Sequence, residues 1–502
     1  MIRQFREHQL ELQILARRIL DQGSEWPHKI TAAHITPGGG KTIGASCFAH
    51  VLVRGDYVDY VLYVCPRDSL REQVVQGFTD LTLDLLGGLV SIKGAPSAQR
   101  SLLKEQRMGF VTTYQSIAKY PHLFAKLMKM GRWLLVLDES HHLPEPGQTF
   151  EDEESIEEAG WTTHVRPLVD LATHVLLMTG SAAREKGKMA FIRHDGNRAI
   201  YDVTHTRRAA LDAKSVIHVI TKLCDGTSRY WYRMQAHTAN LSGDNGKESG
   251  HVLETALSDA IYRDAILTEA VQDWEAYRDH NSRSRMIVIC ESVNSCRAVV
   301  RYLKDHHPRW HAVLAVSKTI GNEQKGTKAI RNFRRLREGH ILVTCKMAYE
   351  GLDVPDCTHL VCLTRIRARS WLEQAFARVT RFDPECGLVW EEQCAYLYAP
   401  ADPAMVQFLS EWLDEQDSTF VEPKRRAGVI GIGKRRSSFE PDGCEPGDIS
   451  YADTNGRLPE EEQALIRRFR QEFPAETKSL RPESWLRMAR AIWAQQKKST
   501  GT

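Results

Sequence analysis

Short apolar runs alternate with amphipathic stretches along most of the chain, predicting strands and helices in turn. Leu10-Glu-Leu-Gln-Ile-Leu-Ala-Arg-Arg-Ile-Leu20 spaces its apolar residues for one helix face. Lys29–Ile35 predicts a buried strand that leads into Gly38-Gly39-Gly40 and a small-residue helix from Thr42 to Leu52. Tyr60–Cys65, Gly109–Thr113, Trp133–Leu137 and His174–Met178 read as further buried strands. Apolar strands separated by helices predict a parallel sheet in an α/β layer. A second series begins at Arg285–Cys290 and continues through His311–Val316, Ile341–Thr344, Leu360–Leu363 and Ala395–Tyr398.

Polar segments interrupt this pattern. Pro144–Gly160 is acidic and predicts an exposed loop, and the turn-rich Asp225–Gly250 predicts an irregular insertion. After about residue 420, Lys424-Arg-Arg426 and Lys434-Arg-Arg436 flank glycines, as in a linker or flexible basic arm. Pro459–Phe473 and Pro482–Gln496 then predict helices, each with Pro near its start. The resulting division is a first α/β domain at 1–205, a connection with an insertion that starts the second domain at 206–280, and a second α/β domain at 281–402. A linker with basic stretches at 403–458 and a helical region at 459–502 complete it, the last offering a surface for protein partners.

Composition narrows the class. The 502 residues carry 42% hydrophobic and 26% charged residues and a net charge of +3, as expected of a soluble multidomain chain. That balance excludes a highly basic protein and leaves room for local basic tracks. The 11 cysteines are odd in number, lie in apolar runs and form no Cys-x-x-Cys pair, which predicts reduced core thiols and a cytoplasmic protein. The N-terminus has no apolar signal core, and no run reaches the roughly 20 apolar residues of a membrane span.

Candidate chemistry begins at Thr36-Pro37-Gly38-Gly39-Gly40-Lys41-Thr42, a glycine loop between a strand and a helix. Its backbone N–H groups can curl around phosphate oxygens, with Lys41 reaching the β/γ-phosphates and Thr42 a Mg²⁺ ion. The full phosphate-loop pattern asks for Gly where Ile35 stands, so an unliganded Gly-rich turn is the alternative reading. Trp133–Leu137 ends in Asp138-Glu139, an apolar strand delivering two carboxylates. Asp138 would hold Mg²⁺ through water and Glu139 would deprotonate an attacking water. Downstream, Arg378 and Arg381 are spaced to clamp phosphate or simply to face solvent from a helix. Arg331–Arg337 likewise reads as a phosphate contact or a solvated face, and Trp485 with Trp493 as packing or base stacking.

In this order the motifs resemble those of the superfamily 2 helicases, close to the DEAH/DExH-type branch, with Asp138-Glu139-Ser140-His141 as the acidic box. The resemblance covers about residues 1–400. It implies two RecA-like parallel-sheet domains in tandem with a small, mainly helical C-terminal region. It also implies an ATP- and Mg²⁺-dependent nucleic-acid helicase or translocase, DNA being favoured over RNA, with hydrolysis in the cleft between the domains. The alternative is an ATP-gated clamp or sensor subunit of a larger repair, restriction or phage-related assembly.

Residue by residue, Gln9 resembles the adenine contact, and Gly38, Gly39, Gly40, Lys41 and Thr42 the phosphate loop. Gly351 and Asp353, in Glu350-Gly351-Leu352-Asp353-Val-Pro355, match the ribose-side motif, and Gln374, Arg378 and Arg381 the last motif, with Ala377 and Thr380 where glycines are usual. His141, Thr179, Ser181 and Gln374 would couple hydrolysis to domain movement. Pro66, Arg67, Gln73, Thr113, Tyr114, Gln115, Ser292 and Thr344 would contact nucleic acid.

Overall fold

The computed structural model describes residues 5–82, 88–92, 94–96, 108–148, 153–182, 187–243, 246–317, 325–335, 337, 339–345, 354–414, 439–453 and 456–457. The chain divides into two compact units between Ser215 and Val216.

The first unit opens with α1 (Glu7–Gln22), whose first turn is closed by Arg6 N–H donating to Gln9 Oε1 at 3.0 Å. β1 (Ile30–Ile35), α2 (Lys41–Arg54), β2 (Tyr60–Cys65), α3 (Asp68–Thr82), β3 (Leu89–Ser91) and β4 (Gly109–Thr113) follow. Next come α4 (Tyr114–Lys119), α5 (Pro121–Met128), β5 (Trp133–Leu137), α6 (Glu153–Leu171) and β6 (His174–Thr179). A two-strand ribbon of β7 (His194–Asp195) and β8 (Arg198–Ala199), then β9 (Val203–His205) and α7 (Arg207–Asp212), complete the unit. Seven strands form one sheet in the order β3-β4-β2-β5-β6-β1-β9, every pairing parallel. β2, β5 and β6 are almost entirely buried and largely apolar because helices cover both faces of the sheet. One core lies against α1, α2 and α3, and another against α4, α5 and α6.

The second unit begins with β10 (His218–Tyr232) and β11 (Gln235–Asn240), followed by α8 (Ser249–Ser258), α9 (Ala260–Arg278) and β12 (Arg285–Cys290). α10 (Val293–His306), β13 (Ala312–Ala315), α11 (Gly326–Arg335), β14 (Ile341–Thr344) and β15 (Cys357–Leu363) continue the alternation. α12 (Arg369–Phe376), β16 (Cys394–Pro400), α13 (Pro403–Asp414), β17 (Phe439–Asp453) and β18 (Gly456–Arg457) end the described chain. The strand order is β13-β14-β12-β15-β16-β10-β17-β18, parallel as far as β10, with β17 antiparallel to β10. Cores again fill both faces.

Several elements differ from the sequence expectation. Asp225–Gly250 holds the far half of β10, all of β11 and the start of α8, not an irregular insertion. Ser228 and Tyr230 point inward while Arg229 and Trp231 are exposed, so the strand alternation is present but carried by polar residues. The hairpin turn sits at Arg233 and Met234, with φ of 51° and 61°. Neither is the Asn or Gly that announces such a turn, which hides it from a reading by residue type. Within the expected acidic loop, α6 starts at Glu153 and buries Glu158 against His142 Nδ1 at 2.5 Å. The expected linker contains α13 and β17, while Lys424–Arg426 and Lys434–Arg436 lie outside the described residues. The expected C-terminal helices, with Trp485 and Trp493, also lie outside them. None of the 11 cysteines is in a disulfide. No described helix is long and apolar enough to cross a membrane.

Candidate active site

Because the first sheet is parallel throughout, the C-terminal ends of β1, β2, β5 and β6 share one edge. The glycine loop leaves β1 there, the acidic pair leaves β5, and Thr179-Gly180-Ser181 leaves β6. Gly38 and Gly40 adopt φ of 84° and 92°, a left-handed backbone that side chains resist. A Cβ on Gly39 would lie 2.7 Å from Ile35 Cγ2 and 2.9 Å from the Thr36 carbonyl. The residue that breaks the loop pattern, Ile35, thus packs directly beneath it.

Lys41 opens α2 and its Nζ meets Glu139 Oε1 at 2.6 Å. The other carboxylate oxygen of Glu139 accepts from Gly180 N–H at 3.1 Å. Glu139 itself has φ 49°, an uncommon conformation for this residue type that turns its side chain toward Lys41 and away from the strand path. Its backbone N–H donates to Asp138 Oδ1 at 3.0 Å, and Tyr114 O–H donates to the Asp138 carbonyl at 2.7 Å. The Tyr63 hydroxyl is buried beside Asp138 and Thr42.

Burial and the neighbouring Glu139 push the Asp138 carboxyl up to about 6. Burial also presses Glu139 upward, but Lys41, His141 and the Gly180 N–H outweigh it and hold that carboxyl near 2. The two carboxylates therefore differ: one is readily neutralised without a cation, the other is firmly ionised. His141 Nδ1 lies 3.0 Å from Thr179 Oγ1 and 3.4 Å from Glu139 Oε2. Thr179 O–H donates to the Ser181 carbonyl at 2.9 Å, so its oxygen accepts from His141 Nδ1–H. Burial, then His142, keeps His141 neutral, near 3.

Arg6 was missed by sequence reasoning, although it stands one helical turn before Gln9. Its Nη1 donates to the carbonyls of Gly38 at 3.3 Å and Gly39 at 2.6 Å. Gln9 is buried, with its amide spanning Arg6 N–H and the Gly40 carbonyl at 3.4 Å. Beneath the loop, His8 stacks on His205 at 3.9 Å, both kept neutral by burial. Nothing in their sequence positions signals that contact.

Among the proposed nucleic-acid contacts, Arg67 and Gln73 are partly exposed and Gln115 and Ser292 exposed. Tyr114 and Thr344 are corrected by the structure: both side chains are fully buried, the first on the Asp138 carbonyl and the second donating to the Ala315 carbonyl at 2.9 Å. Buried hydroxyls need such partners, and these two side chains brace the sheet edges from within. Thr113 is likewise spent capping α4 at Ser116 N–H, 3.2 Å away, and Pro66 is buried.

In the second unit, α12 stops at Phe376, so Arg378 and Arg381 stand, partly exposed, beyond the helix and not on its face. Buried Ala377 and Thr380 directly precede Arg378 and Arg381, and the Thr380 carbonyl accepts from Ile217 N–H at 2.8 Å. Gln374 is buried on α12. Glu350, Gly351 and Asp353 lie outside the described residues.

The site fits a nucleoside triphosphate with Mg²⁺. A glycine cradle has little room for side chains, a helix N-terminus and Lys41 supply positive potential, and a buried carboxylate, Asp138, has no ion pair among the described residues. Among the described residues no cluster of His, Cys, Asp and Glu suits another metal. Gly180 has little freedom here: a Cβ on it would lie 2.7 Å from Lys41 Nζ. Gly180→Ala is expected to push Lys41 aside and raise the KM for ATP more than it changes the thermal midpoint. ATPase kinetics beside thermal denaturation check this, and an unchanged KM would show that Lys41 moves at no cost. Asp138→Asn is expected to raise the midpoint of the metal-free protein at pH 7, because it removes a buried charge while Oδ1 keeps its backbone partner. Calorimetry in chelator checks that.

Two RecA-like α/β domains, the first with a phosphate loop and acidic pair on one sheet edge, define a helicase-type core. Residues 4–167 match the family of the type III restriction enzyme res subunit, and residues 265–383 the helicase conserved C-terminal domain. An uncharacterised protein of Mycobacterium tuberculosis (strain CDC 1551 / Oshkosh) is 23% identical over 425 residues, covering 82% of this chain and 65% of that one. The EcoKI type I restriction enzyme endonuclease subunit of Escherichia coli K12 is 23% identical over 375 residues, covering 69% of this chain and 31% of that one. The chain thus spans less than two thirds of the length of these curated relatives.

Two solved structures share the fold. A fragment described as an HsdR subunit of a type I restriction enzyme from Vibrio vulnificus has TM-score 0.50 and 16% identity, covering 80% of this chain and 68% of its own. The type ISP restriction-modification enzyme LlaBIII bound to DNA has TM-score 0.52 and 13% identity, with coverage of 83% and 30%. The chain belongs to the superfamily 2 helicases.

Proposed function

We propose that this protein hydrolyses ATP with Mg²⁺ to drive translocation along nucleic acid, with DNA as the track. The observation that carries the reading is the linked set Lys41–Glu139–Gly180 beside His141–Thr179 on one sheet edge. Lys41 binds the β/γ-phosphates, leaving Glu139 to accept a proton from water, for which its ionised state suits it. Asp138 and Thr42 hold the metal, which when bound neutralises charge on the phosphates. Gln9 meets the base, and the His141–Thr179 hydrogen bond carries the state of Glu139 into the segment after β6.

From the second domain, Arg378 and Arg381 supply charge to the transferring phosphoryl group, while Gly351 and Asp353 meet the ribose. Arg67, Gln73, Gln115 and Ser292 contact the strand. The restriction-enzyme relatives, one of them bound to DNA, favour DNA over RNA. Buried thiols suit a reducing, cytoplasmic setting.

The test is ATP turnover alone and with matched single- and double-stranded DNA and RNA. Stimulation is expected, strongest with DNA. Turnover that no nucleic acid changes would overturn the motor reading, and stimulation by RNA alone would overturn the choice of DNA.

A further inference from the structure

Tyr114 opens α4 and is fully buried, while Gln115 beside it is exposed. In the sheet, β4 and β5 flank β2, so the end of β4 stands two strand spacings, about 9.5 Å, from the end of β5. The Tyr114 side chain bridges that gap, and its O–H donates to the Asp138 carbonyl at 2.7 Å.

The identity of the acceptor gives this hydrogen bond its reach. The Asp138 carbonyl and the Glu139 N–H belong to one planar peptide unit. Tyr114 holds the carbonyl end, and the N–H end donates to Asp138 Oδ1 at 3.0 Å. Rotation of that plane changes ψ of Asp138 and φ of Glu139 together. The Glu139 φ of 49° is a costly left-handed value, which persists only where neighbours impose it. A shift of the Tyr114 hydroxyl therefore re-aims the Glu139 carboxylate, now set between Lys41 Nζ at 2.6 Å and Gly180 N–H at 3.1 Å.

Tyr114 is also held so that it moves with α4. Trp161 of α6 stacks on its ring at 5.5 Å, with the planes 13° apart. Trp161 in turn meets the edge of His142 at 6.2 Å, and His142 Nδ1 lies 2.5 Å from Glu158 Oε1 on the same helix. Thr113 Oγ1 accepts from Ser116 N–H at 3.2 Å and donates to Ser116 Oγ at 3.1 Å, which closes the turn around Gln115. A contact that displaces Gln115 thus carries the Tyr114 hydroxyl with it.

We infer that Tyr114 is a positioning residue whose hydroxyl transmits nucleic-acid contact at Gln115 to the aim of Glu139 at the attacking water. This deepens the proposed function by naming a regulation of its site, and it rests on the nucleic-acid reading. The route is separate from the His141–Thr179 hydrogen bond, which leads from Glu139 toward β6.

The experiment compares the full chain with Tyr114→Phe, which removes the hydroxyl alone. ATP turnover is measured at saturating ATP, without nucleic acid and across titrations of single- and double-stranded DNA and matched RNA. Anisotropy of labelled oligonucleotides and the thermal midpoint are followed beside it. The ratio of stimulated to basal turnover should fall by roughly 2- to 12-fold, the range one neutral hydrogen bond supplies, with oligonucleotide affinity as in the wild type. The double variant Tyr114→Phe/Gln115→Ala should show a ratio no lower than Tyr114→Phe alone, since both act on one step. An unchanged ratio, with the wild type clearly stimulated, overturns the Tyr114 role and leaves the motor reading standing. Equal falls in basal and stimulated turnover reduce Tyr114 to a brace of the site and overturn the transmission. Additive losses in the double variant, or weakened oligonucleotide binding in Tyr114→Phe, overturn it as well. A wild type that no nucleic acid stimulates overturns both readings.

Discussion

Glu139→Gln is expected to bind ATP nearly as well as the wild type while its turnover falls by about 10²- to 10⁴-fold, the usual contribution of a general base. The substitution is nearly isosteric, and the Gln carbonyl can still accept from Gly180 N–H, 3.1 Å from Glu139 in the native chain. Gln adopts the φ of 49° no less readily than Glu, so the turn after Asp138 is retained. The lost charge frees Lys41 from its 2.6 Å ion pair, which favours phosphate binding if anything. Binding of a fluorescent ATP analogue and single-turnover hydrolysis separate the two effects. Turnover within tenfold of wild type would remove Glu139 from the chemistry. Equal losses of binding and turnover would show instead a damaged loop.

Lys41→Met is expected to cost more, lowering kcat/KM by at least about 10³-fold, because one side chain serves both binding and charge stabilisation. It also leaves Glu139 without its principal counter-charge. In the wild type burial is overridden and Glu139 titrates near 2, below its ordinary 4.5. A depressed carboxylate contributes stability that is fully present above the unfolded value and lost as the pH falls through the folded one. In the Lys41→Met variant that contribution disappears and burial drives the carboxyl up. The thermal midpoints of the two metal-free proteins should therefore differ most near neutral pH and converge between about pH 4.5 and 2. A constant gap across that range would assign the loss to packing alone. Retained hydrolysis in Lys41→Met would set aside the whole site.

Much of the site was legible because its chemistry is concentrated in short segments at strand ends. Gly38 to Thr42 and Asp138 to His141 each follow a strand that is apolar for most of its length, and such strands announce themselves by hydrophobicity alone. What stayed hidden depends on partners far along the chain. Tyr114 and Thr344 look like surface polar residues by type, yet each hydroxyl is consumed by a buried carbonyl. Arg6 has no motif of its own and gains its place from the return of the chain 32 and 33 residues later. The β10–β11 hairpin escaped because polar residues occupy its inward positions and because Arg233 and Met234 make its turn.

By itself the sequence determined the two α/β series, the order of the phosphate loop, acidic pair and arginine pair, and the residue types able to do phosphate chemistry. Periodicity and local turn chemistry act over a few residues, and a linear string records them directly. The tertiary structure alone decided that Lys41, Glu139, Gly180, His141 and Thr179 meet on one edge, and that Glu139 is ionised while Asp138 is strained by burial. Those outcomes come from strand order and burial, which join residues far apart in the chain and set the dielectric around each charge.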